Sequence, residues 1–382
     1  MDVILNTDSL SPPLAGIGNY TRQLLNGLLT HSAIGTVRRF GGRPDLATID
    51  AGTAVAPADH LLHHFKRGMR AWPGAYALRA WLREQEFKWR FRHHVDAIYH
   101  EPNYILKRFP GRSVATVHDT SHLRFPQFHP PQRVAYLERH LPLTIGRADQ
   151  LITLSEFMRG ELMRLFAIAP ARITAIPLGV DPSYRSYSVA DTQPTLQRYG
   201  LAHGGYLLSV ATLEPRKNLL GLLRAYRQLE PSLRARFPLV LAGASGWGNA
   251  DLESELRKVG SSARRLGYLP AQELPHIYAG AAGFALVSHY EGFGLPALEA
   301  LACGLPLLAS ERSALPEVAG DAALYVDPED IDDMAKKLAR LLEDGVLRKA
   351  LSVAGIARAQ RFGWRACVDQ TVAVYRRAAA GN

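Results

Sequence analysis

Cysteine is scarce: 382 residues contain two, Cys303 and Cys367. Two thiols so far apart support neither a disulfide framework nor a zinc site, and they suit a reducing compartment. Free cysteine is strongly buried as a type, so both are expected to be core fillers. Long apolar runs are missing too. No stretch approaches the roughly 18–20 uninterrupted apolar residues that span a bilayer. The nearest, Ala279 to Val287, reads as a helix end followed by a buried strand. The opening Met-Asp-Val-Ile-Leu-Asn has no basic region before an apolar run, so no signal peptide is expected. Internal repeats, low-complexity tracts and a Ser/His/Asp constellation with a nucleophile elbow are all lacking.

What is present describes a soluble globular protein, 47% hydrophobic and 21% charged. Its length predicts two domains. The formal charge of +10 is uneven. Lys66, Arg67, Arg70, Arg79, Arg83, Lys88, Arg90 and Arg92 share one segment with Trp72, Trp81, Phe87, Trp89 and Phe91; only Glu84 and Glu86 oppose them. Two readings stand. The segment is a solvated helix surface with its aromatics turned to the core, or a patch that meets anionic headgroups. No nucleic-acid module accompanies it, so nucleic acid is not an expected partner.

Short apolar runs alternate with helical patterns throughout. Strands are predicted at Val3 to Leu5, Ala97 to Tyr99, Ser113 to Val117, Gln150 to Leu154 and Ile173 to Ile176. A second set follows at Tyr206 to Leu213, Leu239 to Ala242, Arg264 to Leu269, Phe284 to Val287, Leu305 to Ala309 and Ala323 to Val326. Such alternation predicts an α/β protein of two doubly wound, parallel-sheet, Rossmann-like domains. The boundaries read as 1–182, a polar connection over 183–200, and 201–363, with a last helix from about 364 to 382. Ligands of such sheets bind outside the carboxyl ends of the strands, so a cleft between the domains is the expected site.

The most informative stretch runs from Glu291 to Glu299. Gly292 and Gly294 let a ligand lie against the backbone. Pro296 suits the first turn of a helix, whose free N–H groups attract phosphate. Carboxylates repel phosphate, so Glu291 and Glu299 are better suited to accept hydrogen bonds from hydroxyls. A ligand carrying both phosphate and hydroxyls, a nucleotide sugar, satisfies that arrangement. Arg216 and Lys217 follow a predicted strand and precede a helix, a placement suited to a diphosphate. His118-Asp119 also follows a strand, and is either a cleft histidine oriented by an acid or a satisfied loop residue. Gly16-Ile17-Gly18 resembles a dinucleotide fingerprint but has Thr21 in place of the third glycine, leaving a plain turn or a phosphate-facing surface. Asp330 to Asp333 opens a helix, and its dipole accounts for those acids without a metal.

Taken in order, these motifs resemble the retaining glycosyltransferases of family 4, which have the GT-B fold. The resemblance also rests on Pro177-Leu178-Gly179-Val180-Asp181, Leu154-Ser155-Glu156-Phe157 and Leu315 to Asp321. It implies that Arg216 and Lys217 neutralise the donor diphosphate, and that Glu299 binds the nucleotide ribose. Glu291 with the amides of Gly292, Phe293, Gly294 and Leu295 would cradle the sugar and its phosphate. His118 would contact the donor sugar, and Gly16 and Gly18 would let the first domain close on the diphosphate. Asn103, Tyr104 and Asp119 are the acceptor-side candidates. No cofactor or metal is implied, and the last helix would cross back onto the first domain. Glu101 to Tyr104 and Arg124 to Pro126 add a similarity to bacterial mannosyl- and rhamnosyltransferases of O-antigen type. The implied donor is a GDP-sugar and the acceptor a lipid-linked glycan, at the cytoplasmic face of an anionic membrane. A nucleotide-sugar epimerase on the same scaffold would need its own acid/base pair in the cleft. A non-enzymatic surface binder would act through the basic segment.

Overall fold

The computed structural model describes residues 1–10, 14, 16–41, 75–248 and 250–381, the side chains of 75–80 apart. The first sheet contains β1 (Val3–Asn6), β2 (Val37–Phe40), β3 (Ile98–Glu101), β4 (Ser113–Thr116), β5 (Gln150–Thr153) and β6 (Ile173–Ala175). The second contains β7 (Leu207–Val210), β8 (Leu239–Ala242), β9 (Ala263–Gly267), β10 (Gly283–Leu286), β11 (Leu307–Ser310) and β12 (Ala323–Val326). Every pairing between these strands is parallel. Central strands such as Leu239–Ala242 and Leu307–Ser310 are buried on both faces, which explains their continuous apolar runs. Edge strands differ. β2 carries the half-buried Arg38 and Arg39, and β9 carries the exposed Arg264 and Arg265, charges that discourage further pairing at a sheet edge. Those arginines also remove the apolar signature, so β2 had no strand prediction.

The second sheet has the order β12-β11-β10-β7-β8-β9 and the first β2-β1-β3-β4-β5-β6. In each, successive connections run to opposite sides of one strand pair: β7 and β10 in the second sheet, β1 and β3 in the first. A crevice opens outside the carboxyl ends of such a pair. The loops entering these crevices are 211–218 and 287–294 in one case, and those after Asn6 and Glu101 in the other.

The stretch 183–200, read as a connection, contains the helix Val189–Arg198. Ser188 caps it, with Asp191 closing a reciprocal capping box, and it packs on the helix Leu274–Ala279. Few of its residues are buried, so its periodicity is weak in the sequence. The helix Trp364–Ala380 lies against the first sheet and the helix Gly16–Thr30. Buried His100 anchors it, with Nδ1 at 2.7 Å from the Tyr375 hydroxyl and Nε2 at 2.8 Å from the Thr116 hydroxyl. Cys303 and Cys367 are both buried and free.

Lys66, Arg67, Arg70 and Trp72 lie outside the described residues, as does the Arg79 side chain. The rest of the basic segment forms the helix Ala75–Phe91 and its exit. Its aromatics divide: Phe87 and Phe91 enter the core, whereas Trp81 and Trp89 are 55% and 70% exposed. No described helix is long and apolar enough to cross a membrane.

Candidate active site

Pro215–Lys217 forms a short 3₁₀ turn after β7, and the loop 287–294 leaves β10 beside it. Arg216 is buried there. Its Nη1 donates to the Tyr290 carbonyl at 2.7 Å and reaches Glu291 Oε2 at 3.4 Å, while Nη2 donates to Glu214 at 2.6 Å. Its Nε is buried without a partner. Lys217 Nζ lies 2.8 and 2.9 Å from the two oxygens of Glu291. Burial alone would raise the Glu291 carboxyl, but the charges of Lys217 and Arg216 and the Ser288 hydroxyl hold it below its usual value. Glu291 therefore faces cations, where the sequence reading gave it to sugar hydroxyls. Both Lys217 contacts go to one carboxylate, and an ammonium has three N–H donors.

Gly294, at φ +100°, caps the helix Leu295–Ala302, with Pro296 in its first turn. Among the described residues, the amides of Gly292, Phe293, Gly294 and Leu295 meet no protein acceptor. This is a row of free donors at a helix start. The Phe293 side chain is buried and packs edge-on against Phe362. One turn into the helix, Glu299 Oε2 accepts from the Tyr278 hydroxyl at 2.9 Å, and the Tyr184 hydroxyl is close enough to stabilise the ionised carboxyl. Burial pushes Glu299 up to about 7, against the pull of the two tyrosines.

The opposite wall comes from the first domain. His118 is buried, and its Nε2–H donates to the Pro102 carbonyl at 2.6 Å, leaving Nδ1 as the acceptor. Burial lowers its pKa, so the ring is neutral near pH 7. Burial disfavours ionisation of Asp119, yet Arg216 across the cleft and two Ser121 hydrogen bonds hold it well below the carboxylate range. Tyr104 is buried at φ +60°, and its hydroxyl accepts the Asp119 amide at 3.0 Å. It is a strut for Asp119, while Asn103 is exposed at the end of β3. Gly16 has open space where a side chain would stand; Gly18 packs against Leu14 and the Ser9 carbonyl.

The two walls touch. A Cβ on Gly292 would lie 1.9 Å from the His118 carbonyl oxygen. Ser155 Oγ donates to the Gly292 carbonyl at 2.9 Å while capping the helix Glu156–Phe166. That helix presents the amides of Glu156 and Phe157 to Glu317, at 2.8 and 3.0 Å. Tyr290 enters the first domain, where its hydroxyl meets Thr120, Met158 and Glu161. Among the described residues no group of three His, Cys, Asp or Glu side chains could hold a metal ion.

Two family models divide the chain. "Glycosyltransferase Family 4" matches residues 14–184 and "Glycosyl transferases group 1" matches 201–358. The O-antigen chain mannosyltransferase B of Escherichia coli is 37% identical over 383 residues, spanning 98% of this chain and 100% of its own length. The chain belongs to glycosyltransferase family 4. A serotype-specific mannosyltransferase, WbdA of Escherichia coli, is 32% identical over 57% of this chain and 27% of its own length. Among solved structures, Anabaena HepE in complex with UDP-glucose superposes with a TM-score of 0.74 at 17% identity. It covers 98% of this chain and 99% of its own. The fold is GT-B. Within this family 4 transferase, the residues that sequence reasoning missed are Tyr290's partners Thr120 and Glu161, and the helix-capping Glu317. Glu317 lay inside a motif already noticed, but its target is 161 positions away in sequence and nothing local marks it.

Proposed function

We propose that this family 4 enzyme transfers a mannosyl unit, with retention and without a metal, from a GDP-linked donor to a lipid-linked glycan of O-antigen type. The observation that carries this reading is the set of unspent donors at the β7/β10 crevice. Arg216 Nε, a Lys217 N–H beyond the two spent on Glu291, and the amides at 292–295 are left without protein acceptors on the two loops that enter this crevice, donors of the kind a diphosphate needs. The mannosyl assignment rests on the full-length likeness to a mannosyltransferase. In the proposed step the donor C1–O bond breaks, and the acceptor hydroxyl attacks from the same face. Its proton passes to the departing phosphate oxygen. Arg216 and Lys217 stabilise the charge growing on that phosphate, so catalysis is positioning plus electrostatics. A panel of nucleotide sugars followed by thermal shift tests the donor, since a tight ligand raises Tm. GDP-mannose should give the largest rise, and no rise with any nucleotide sugar would refute the reading.

Two cations at the diphosphate replace a divalent ion, so EDTA should leave the transfer rate unchanged; strong inhibition restored by added Mn²⁺ or Mg²⁺ would contradict this.

Glu299 supplies a second expectation. Ribose hydroxyls donate to a carboxylate, favouring the ionised form of a group that burial holds near 7. Donor binding at pH 6.5–7 should therefore release a proton. Calorimetry in buffers of different ionisation enthalpy reads this directly. Release should vanish in Glu299→Gln, and its absence in the wild type would remove Glu299 from the ribose site.

Membrane contact is proposed through the helix Ala75–Phe91. Exposed Trp81 and Trp89 sit there among Lys88, Arg90 and Arg92. Replacing those three cations by glutamine should weaken binding to anionic vesicles, and salt should do the same. Unchanged flotation would leave the segment a solvated face.

A further inference from the structure

Beyond the Asp119 loop the chain turns through the helix Ser121–Arg124 and the 3₁₀ turn Pro126–Phe128. This turn puts two histidines, His122 and His129, inside the cleft wall. They are 1% and 7% exposed. His122 Nε2 and both ring nitrogens of His129 are buried without a hydrogen-bond partner. Leaving such groups unmet is costly, so three unmet nitrogens in one corner imply a ligand that meets them. The corner belongs to the cleft. His129 lies in the fields of Arg133 and Asp119 from its own domain, and of Arg216 and Glu214 from the other. Its ring faces Trp247 of the second domain at 6.2 Å, and Trp247 Nε1 fixes that wall by donating to the Phe128 carbonyl at 2.7 Å. His122 is the neighbour of Asp119, His129 and Arg133.

We infer that His122 and His129 form the acceptor subsite, and that it takes the hydroxyls of an uncharged sugar beside the donor diphosphate. A neutral imidazole offers one N–H and one lone pair, which matches a hydroxyl that both donates and accepts. Burial keeps both rings in that form, with Arg133 adding to the effect. Asp119, ionised at the same corner, accepts from hydroxyls, and with Glu214 it offsets Arg133 and Arg216, so the corner has no surplus positive charge to draw a phosphate or carboxylate. Both histidines are acceptor-positioning residues, and the inference rests on the transferase reading above.

The test uses the full-length enzyme with GDP-mannose, and methyl α-mannoside or mannose 6-phosphate as acceptor. His122→Ala and His129→Ala should each raise KM for methyl α-mannoside on the order of tenfold, the cost of about one hydrogen bond. The donor KM and the donor-induced Tm rise should stay within twofold, which also shows that the variants fold. His129→Gln, which restores a donor and an acceptor, should recover part of the loss. Mannose 6-phosphate should be the poorer acceptor for the wild type. Unchanged acceptor KM in both alanine variants, or a preference for the phosphorylated sugar, would overturn the inference. Failure of the wild type to bind GDP-mannose would instead count against the donor assignment. The acceptor comparison would then be run with whichever nucleotide sugar raises Tm.

Discussion

Lys217→Ala is expected to lower turnover on the order of 100-fold, the usual cost of losing one electrostatic stabiliser of a developing charge. The Lys217 ammonium is held in place by both oxygens of Glu291, at 2.8 and 2.9 Å, so in the proposed step it would meet the departing phosphate without reorganising. Removing it has a second consequence. Lys217 is the strongest influence holding the buried Glu291 carboxyl down, ahead of Arg216. In the variant Glu291 should titrate higher, and the acid limb of the pH–rate profile should move upward. Lys217→Arg keeps the charge but not its compact geometry, and should restore only part of the rate. Donor affinity should suffer less than turnover, because the charge on the leaving phosphate grows as the bond breaks. Steady-state kinetics with a saturating nucleotide sugar decide this, and a near-wild-type rate would remove Lys217 from the site.

Gly292→Ala should be comparably damaging for a different reason. An added Cβ would stand 1.9 Å from the His118 carbonyl and 3.0 Å from the Asp119 Cβ, a backbone and a short side chain that have little room to yield. The two walls must then part by about an ångström, a displacement that can cost on the order of 100-fold when catalysis depends on positioning. Gly292 is not among the glycines at positive φ, so alanine brings no backbone strain of that kind. The Arg216–Glu291–Lys217 cluster lies within one domain and should persist. The expected signature is therefore retained donor binding with kcat lowered and a slightly more open molecule by small-angle scattering. Full activity would show that the contact between Gly292 and His118 is dispensable.

Much of this was legible in the sequence because parallel sheets write their position in apolar runs. Leu239 to Ala242 and Phe284 to Val287 announce buried strands, and the residues after such strands line a crevice by topology alone. That is why Arg216, Lys217 and Glu291 could be placed together although 74 or 75 positions separate the cations from the acid. Strand β2 escaped because Arg38 and Arg39 interrupt its apolar pattern at the end of the sheet order. The commitments of the acids escaped as well. That Glu291 pairs with cations, and that Tyr278 holds Glu299, depends on side-chain directions that spacing does not encode. Contacts across the cleft were the least visible. Tyr290 meets Glu161 at a separation of 129 residues, and no local pattern in either segment marks the partner. His122 and His129 were lost among 14 histidines, since only burial without a partner sets them apart.

The β7/β10 crevice is proposed to grip an activated sugar by its diphosphate and its ribose. A crystal structure of the enzyme soaked with GDP-mannose tests it most directly. Arg216 and Lys217 are expected within hydrogen-bond distance of the pyrophosphate, the 292–295 amides around the sugar-side phosphate, and Glu299 on the ribose hydroxyls. A donor bound elsewhere, with those three side chains remote from it, would rule out this crevice as the donor site.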